Sequence, residues 1–361
     1  MSKPSLKAAH FLLEPVLTGS PPNLALKKAL RSLGYAVDEY SELSVEHETV
    51  QPVAFGLKWL LKNAFKPHWR QYDLFTCTSE DPIFIVGVLS FIWRKPLVFL
   101  ADEIRAGSYR GNRPEYFKRL CRWAMRRAAL TIVNDEHRLS LQTEYAELTE
   151  SSPLVVYPGC FETPPEPISK AKMWPEWNAE NADFVLCFSG ACNLSTGMDM
   201  ALDALESFDR CFLVAHGLGI DDFNRFLIQR SRHADRIYLQ QHRLSWFEAW
   251  ASAAAADIGV AYYRNPAPQF RQMGISSNRL CMFLAMGVPV IVDKQPSFDF
   301  LHEFECGVQV ETQEEFNQAI ATLRSDPERF SDNALRCTRD YIRAPERYKA
   351  LEATLRNVLT R

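Results

Sequence analysis

The chain has 361 residues, of which 47% are hydrophobic and 24% charged, with a formal net charge of −3. That length exceeds one ordinary core and implies two domains, and that charge excludes a general nucleic-acid binder. Nine cysteines without a C-x-x-C pair exclude a secreted disulfide scaffold and read as single buried thiols in a reducing compartment.

Taken in chain order, the opening "MSKPSLKAAHFLLEPVLTG" lacks the long apolar core of a signal peptide, and its apolar run reads as a first strand. Further strands are expected near 36–40, 74–78, 97–101, 130–133 and 154–157, with helices near 23–33, 55–65, 82–93, 114–128 and 136–145. The longest apolar stretch, 83–93, is too short to cross a bilayer and ends at Arg94-Lys95-Pro96. A proline-rich segment at 161–182 reads as a linker. A second series follows, with strands near 184–189, 211–215, 237–239, 258–261 and 288–292. Its helices are expected near 198–205, 221–230, 246–255, 277–286 and 313–323, and the segment from 341 onward is also helical. Such alternation points to an α/β chain of two Rossmann-like domains, 1–160 and 183–340, with parallel sheets facing each other across a cleft. Ligands of such sheets bind beyond the carboxyl ends of the strands, so the βα loops are the places to search.

The first such loop is "TGSPPN", where Gly19 permits close backbone approach and Ser20 and Asn23 either cap the next helix or meet a ligand. Lys58, Lys62, Lys66 and Arg70 recur every four residues, interleaved with Phe55, Trp59, Leu61, Phe65 and Trp69. On one helix they form a cationic stripe beside an apolar surface, suited to an anionic membrane or to plain solvation. "VFLADEI" places Asp102 and Glu103 just after a strand, where Asp102 either faces a ligand or caps and pairs with Arg105. A second basic run holds Arg105, Arg110, Arg113, Lys118, Arg119, Arg122, Arg126 and Arg127, with Glu115 as its one acid.

Near the end of the second series, "GISSNRLCMFLAMGVPVIV" reads as a polar loop, a short helix and a buried strand. Unpaired N–H groups and a positive dipole end make a helix start an anion site. Ser276, Ser277 and Asn278 are placed to meet phosphate there, or simply to cap the helix. Met282 lies one turn deeper on the same side as Asn278.

From Ser276 to Val292 this segment resembles the donor-site helix of GT-B glycosyltransferases of the retaining, E-x7-E type. "FSGACNLSTGMDMALDAL" is similar to that family's opening of the second domain, "CFLVAHGLGIDDFNRFL" to its V-G-x-G segment, and "LSWFEAWASAAAADIGVAYY" to its helix–A-D–strand segment. In the first half, "TGSPPNLALKKALRSLGYAVD" and the stretch from "LTIVNDEHRLSL" to "LVVYPGCFE" are similar too, so the likeness runs through most of the chain in order. It departs from the pattern at Gly274 and Met282, where the two acids stand, and at Ala191 and Thr196, where the family's Arg and Lys neutralise the donor diphosphate.

The resemblance implies a GT-B fold and a metal-independent, hexosyltransferase-like, retaining enzyme that moves a sugar from a nucleotide-sugar to a glycan or lipid-linked acceptor. A role in cell-surface polysaccharide synthesis follows, with a cytoplasmic location that includes peripheral attachment to the inner membrane face. The nucleotide-sugar is substrate, and no cofactor is expected. The donor residues implied are Gly190, His216, Arg264, Ser276, Ser277, Asn278 and Arg279, with Arg264 replacing the lost cations. Asp102 is the catalytic candidate, orienting an acceptor hydroxyl or stabilising cationic sugar character, and the acceptor enters by Gly19 and Ser20. In such enzymes the C-terminal helix, here 341–361, packs back on the first domain. No metal ligands are expected, because no His/Cys/Asp cluster has ligand spacing and D-x-D is absent. The alternatives are a non-catalytic glycosyltransferase-like subunit that binds a partner protein or glycan, and a sugar-nucleotide epimerase using Asp102 and His216 as acid and base.

Overall fold

The computed structural model describes residues 6–13, 19–41, 50–53, 56–104, 114–173, 183–190, 194–216, 231–239 and 244–360. They form two units: 1–162 with 267–269 and 344–361, and 163–266 with 270–343.

The first unit is built on seven parallel strands, β1 (Leu6–Leu12), β2 (Tyr35–Ser41), β3 (Val50–Pro52), β4 (Leu74–Thr78), β5 (Leu97–Ala101), β6 (Leu130–Val133) and β7 (Leu154–Val156), in the order 3-2-1-4-5-6-7. All five residues of β4 and of β5 are buried, the run expected of strands covered on both faces. The pleat sends Ala9, Phe11, Phe75 and Phe99 to one face and Ala8, Leu74, Val98 and Leu100 to the other, each set with its own core. Helices α1 (Pro21–Ser32), α2 (Leu57–Asn63), α3 (Glu80–Trp93), α4 (Glu115–Arg126) and α5 (Glu136–Ala146) connect the strands.

The second unit has six parallel strands, β8 (Phe184–Ser189), β9 (Cys211–His216), β10 (Ile237–Leu239), β11 (Ile258–Ala261), β12 (Val290–Asp293) and β13 (Gly307–Val310), in the order 10-9-8-11-12-13. Its helices include α6 (Met198–Ser207), α7 (Trp246–Ala253), α8 (Asn278–Ala285), α9 (Gln313–Arg324) and α10 (Pro327–Cys337). The chain ends in α11 (Ala344–Leu359), whose Tyr348, Leu351 and Leu355 join Leu26 and Leu30 of α1 in the first unit's core.

Several boundaries differ from the sequence reading. β3, β13 and α10 were not anticipated: β3 has only three residues, and the pattern at 307–310 is half-buried rather than apolar. The helix expected at 55–65 is Leu57–Asn63, so Lys66 and Arg70 leave the stripe and lie at and within a 3-10 turn, Pro67–Gln71. Trp69, counted with the surface aromatics, is 1% exposed and packs on Phe11, Tyr40 and Phe75. Phe55, Arg105, Arg110, Arg113, Ala191 and the helix expected at 221–230 lie outside the described residues. Eight cysteines are described, all buried and free. Among the described residues no helix is long and apolar enough to cross a membrane.

Candidate functional site

In each sheet the strand order reverses beside the first strand of the series, at β1/β4 and at β8/β11. Loops leaving the carboxyl ends there diverge and open a crevice.

In the second unit, β8 ends at Gly190, whose φ of +86° suits glycine. Its N–H donates to the carbonyl of His216, 2.8 Å away, so the β8 and β9 exits are tied together. A β-carbon on Gly190 would stand 3.2 Å from Arg279 Nη2, so a side chain there would crowd this guanidinium and push it by a few tenths of an ångström. His216 is 2% exposed and its Nε2 has no hydrogen-bond partner among the described residues. Burial, with the Arg279 charge adding to it, lowers its pKa to about 4, so the ring is neutral at pH 7. Asn278 Oδ1 is likewise buried without a partner. Arg279 lies over the Tyr263 ring at 5.7 Å.

Helix α8 starts at this edge because Ser277 caps it, accepting from Leu280 N at 3.0 Å. The same hydroxyl oxygen meets Tyr263 Oη at 2.6 Å, and Ser276 Oγ donates to the Met273 carbonyl. Both serine side chains are therefore engaged within the protein, Ser277 as the cap of α8 and Ser276 in the turn before it. The helix is fixed against β11 by close approach: a β-carbon on Gly259 would sit 2.3 Å from the Phe283 ring. Met282 lies one turn further along α8. It is 2% exposed, within the apolar run Leu280–Ala285 that buries every residue. Gly274 is buried as well, its N–H donating to Ser297 Oγ at 3.2 Å.

Arg264 follows β11, but its Nη1 is bound to Asp199 Oδ2 at 2.6 Å, on the first turn of α6. With Arg271 it lines a hollow of about 410 Å³ that also includes Tyr262, Asp293, Lys294 and Glu311. The cations in it already face carboxylates: Arg271 lies 3.7 Å from Asp293, and Lys294 lies 3.4 Å from Glu311. Burial raises the Asp293 pKa to about 6, against hydrogen bonds from Tyr263 N and Gln295. Thr196, at the position of the family's Lys, is 5% exposed.

In the first unit, Ser20 is fully buried and Gly19 half-buried. Ser20 Oγ accepts from Asn23 Nδ2 at 2.9 Å, and Asn23 Oδ1 accepts from Thr78 Oγ1 at 2.5 Å. His10 joins them, Nε2 at 3.1 Å from Asn23 Oδ1 and Nδ1 at 2.6 Å from Thr76 Oγ1. Because Asn23 Oδ1 can only accept, this network assigns the His10 proton to Nε2 and makes Nδ1 an acceptor for the Thr76 hydroxyl. Burial lowers the His10 pKa to about 4. Ser20 and Asn23 thus belong to a buried polar lock across the β1/β4 switch.

Asp102 leaves β5 with its Oδ1 accepting from Asn134 Nδ2 at 2.7 Å and its carbonyl accepting from Arg138 at 3.0 Å. Burial raises its pKa, opposed by the Arg138 charge and the Asn134 bond. Next to it, Ser79 ends β4 with φ +69°, a conformation costly for a residue with a β-carbon. Buried Glu80 follows, accepting from Tyr145 Oη at 2.5 Å.

The structure therefore groups Gly190, His216, Ser277, Asn278 and Arg279 at one edge, pairs Arg264 with Asp199, and gives Asp102 to the other unit. Sequence reasoning missed His10, Tyr263, Ser79, Asn134 and Arg138; only Ser79, at a strand exit before two acids and a proline, left a local signal. Among the described residues no group of His, Cys, Asp and Glu is arranged to hold a metal.

No protein-family model matches the chain, and no curated protein matches it. Solved structures do. HepE from Anabaena, solved in complex with UDP and glucose, is 16% identical with a TM-score of 0.75, covering 98% of this chain and 100% of that one. Sucrose-phosphate synthase from Thermosynechococcus elongatus is 15% identical with a TM-score of 0.70, covering 98% and 99%. A UDP-N-acetylglucosamine 2-epimerase from Listeria monocytogenes, so described in its structure, is 13% identical with a TM-score of 0.63, covering 98% and 96%. At such identities the likeness shows the fold, which is GT-B.

Proposed function

We propose that the chain is a glycosyltransferase taking a nucleotide-sugar at the second unit's switch point. The observation that carries this is the meeting of Gly190, His216 and Arg279 with the start of α8, where two buried polar atoms, His216 Nε2 and Asn278 Oδ1, have no partner among the described residues. A buried orphan polar group is costly, and a diphosphate with its attached sugar supplies complementary donors and acceptors. The Arg279 fork and the positive end of α8 take the phosphate charge, and neutral His216 offers a hydrogen bond rather than a charge. HepE, solved with UDP-glucose, supports a uridine donor.

The reaction exchanges the bond from sugar C1 to phosphate oxygen for one to an acceptor oxygen. Arg279 and the helix end stabilise the departing diphosphate, work that preorganised charge does best. Asp102 orients the acceptor hydroxyl or stabilises cationic sugar character, and Gly19 lies on the acceptor side. Resemblance to the E-x7-E group supports a hexosyl donor, retention of configuration and independence from metal. A glycan or lipid-linked acceptor at the cytoplasmic face, in cell-surface polysaccharide synthesis, completes the reading.

Calorimetric titration with UDP, GDP, ADP, dTDP and CMP tests it. Micromolar binding of one nucleotide, weakened by Arg279→Ala, supports a transferase. A second reading, a non-catalytic subunit of the same fold, draws on Gly274 and Met282 at the family's acid positions and on Arg264 held by Asp199; it requires that no nucleotide bind at millimolar concentration. The epimerase reading requires that a UDP-sugar without acceptor be converted to its epimer.

A further inference from the structure

Among the described residues nine large hydrophobic side chains are exposed, and six lie on α2, the turn just after it, the end of α3 and α4: Leu57 (61%), Leu61 (71%), Phe65 (72%), Phe91 (55%), Tyr116 (66%) and Leu120 (40%). These elements adjoin one another. Trp93 Nε1 of α3 donates to the Ala64 carbonyl at the end of α2, at 2.9 Å, and Phe91 meets Trp123 of α4 edge-on at 5.9 Å. The apolar side chains therefore belong to one face of the first unit. Leu57 and Leu61 stand one turn apart on α2, beside Lys58 and Lys62, while Leu60 is buried beneath them.

The charge on this face is mostly positive, and its carboxylates Asp73, Glu115 and Glu147 are each ion-paired. From 56 to 71 there are four Lys and Arg and no acid. At the α3 end a hollow of about 580 Å³ is lined by Phe91, Arg94, Lys95 and Arg127 among others, with no carboxylate. Arg127 stacks over both Phe91 and Trp123, at 4.9 and 5.5 Å. The acids Glu115 on α4 and Glu147 at the end of α5 are taken up by Arg122 and Arg126. Apolar side chains that reach outward from a ring of cations match the acyl boundary and phosphate layer of a bilayer.

We propose that this face docks on an anionic phospholipid bilayer: Leu57, Leu61 and Phe65 enter the acyl boundary, Lys58 and Lys62 meet lipid phosphates, and the Arg94–Arg127 hollow holds a head group. The proposal rests on the first unit alone and stands whether or not the nucleotide site is active.

The test is co-sedimentation of the full chain with vesicles of phosphatidylcholine, with and without phosphatidylglycerol, at low and high salt. Binding is expected only with phosphatidylglycerol, reduced several-fold by salt. Leu61→Ser with Phe65→Ser, and separately Lys58→Gln with Lys62→Gln, are each expected to reduce it ten-fold or more. All four side chains are exposed, so the unfolding midpoint serves as the folding control. Absence of binding to anionic vesicles overturns the proposal, as does binding that neither pair of substitutions changes. Salt-sensitive binding that only the lysine pair reduces also overturns it, because it describes adsorption without insertion.

Discussion

Arg279 Nη2 lies 3.2 Å from the space a β-carbon would fill on Gly190, although 89 positions separate the two in sequence. The contact makes the β8 exit and the first turn of α8 two walls of one site. Arg279→Ala is expected to weaken nucleotide binding ~10–100-fold, the loss of one charge-assisted hydrogen bond. Gly190→Val should weaken it at least as much, since it strains a φ of +86° and crowds the same guanidinium. Calorimetry on both variants checks this; undiminished affinity in either removes the site.

Little of that relationship was legible in the sequence, although much of the fold was. The strands at 74–78, 97–101, 130–133, 184–189, 237–239 and 258–261 were read at the bounds observed, because parallel strands covered on both faces are unbroken apolar runs. Tertiary proximity has no such local mark. His10, Thr76 and Thr78 are isolated polar residues within apolar strands, and only the pairing of His10 with Thr76 across β1/β4 puts them at one height. Trp69 failed for a related reason: a four-residue period predicts a surface stripe, but the helix stops at Asn63 and the ring turns into the core.

Arg264 offers a second test. Its ion pair with Asp199 is about one-third exposed on both sides, so it contributes no more than about 1 kcal/mol to stability, yet it competes with any phosphate for the same guanidinium. Arg264→Ala is therefore expected to weaken nucleotide binding less than Arg279→Ala does. Asp199→Asn should strengthen binding by a few-fold if Arg264 then turns to the ligand. Equal losses from the two arginine variants would show that Asp199 does not hold Arg264 away from the donor.

His10 makes stability depend on pH. Its folded pKa is near 4 against an ordinary 6.5, so between those values the unfolded chain binds the extra proton. Its contribution is fully present above pH 6.5 and is lost as pH falls toward 4, a change of about 3 kcal/mol. Asp293, raised to about 6, acts with the opposite sign over much of that window, so the informative quantity is a difference between chains. Urea unfolding of the wild type and His10→Gln at several pH values should show the wild type losing more stability on acidification. Parallel profiles would mean that the buried ring is not the neutral group the Thr76 and Asn23 bonds describe.

Met282 bears most directly on whether the proposed donor site departs from the E-x7-E pattern it resembles. If the position faced the donor, Met282→Glu would put back the acid of that pattern and strengthen nucleotide binding. The structure places it 2% exposed within α8, in a run where Leu280 to Ala285 are all buried. A carboxylate there is desolvated, so Met282→Glu is expected to cost roughly 2–4 kcal/mol of stability with no gain in affinity. Met282→Leu conserves volume and should cost less than about 1.5 kcal/mol. Unfolding midpoints and nucleotide titrations on both variants decide it. A stable, tighter-binding Met282→Glu would mean that α8 turns its Met282 face toward the donor.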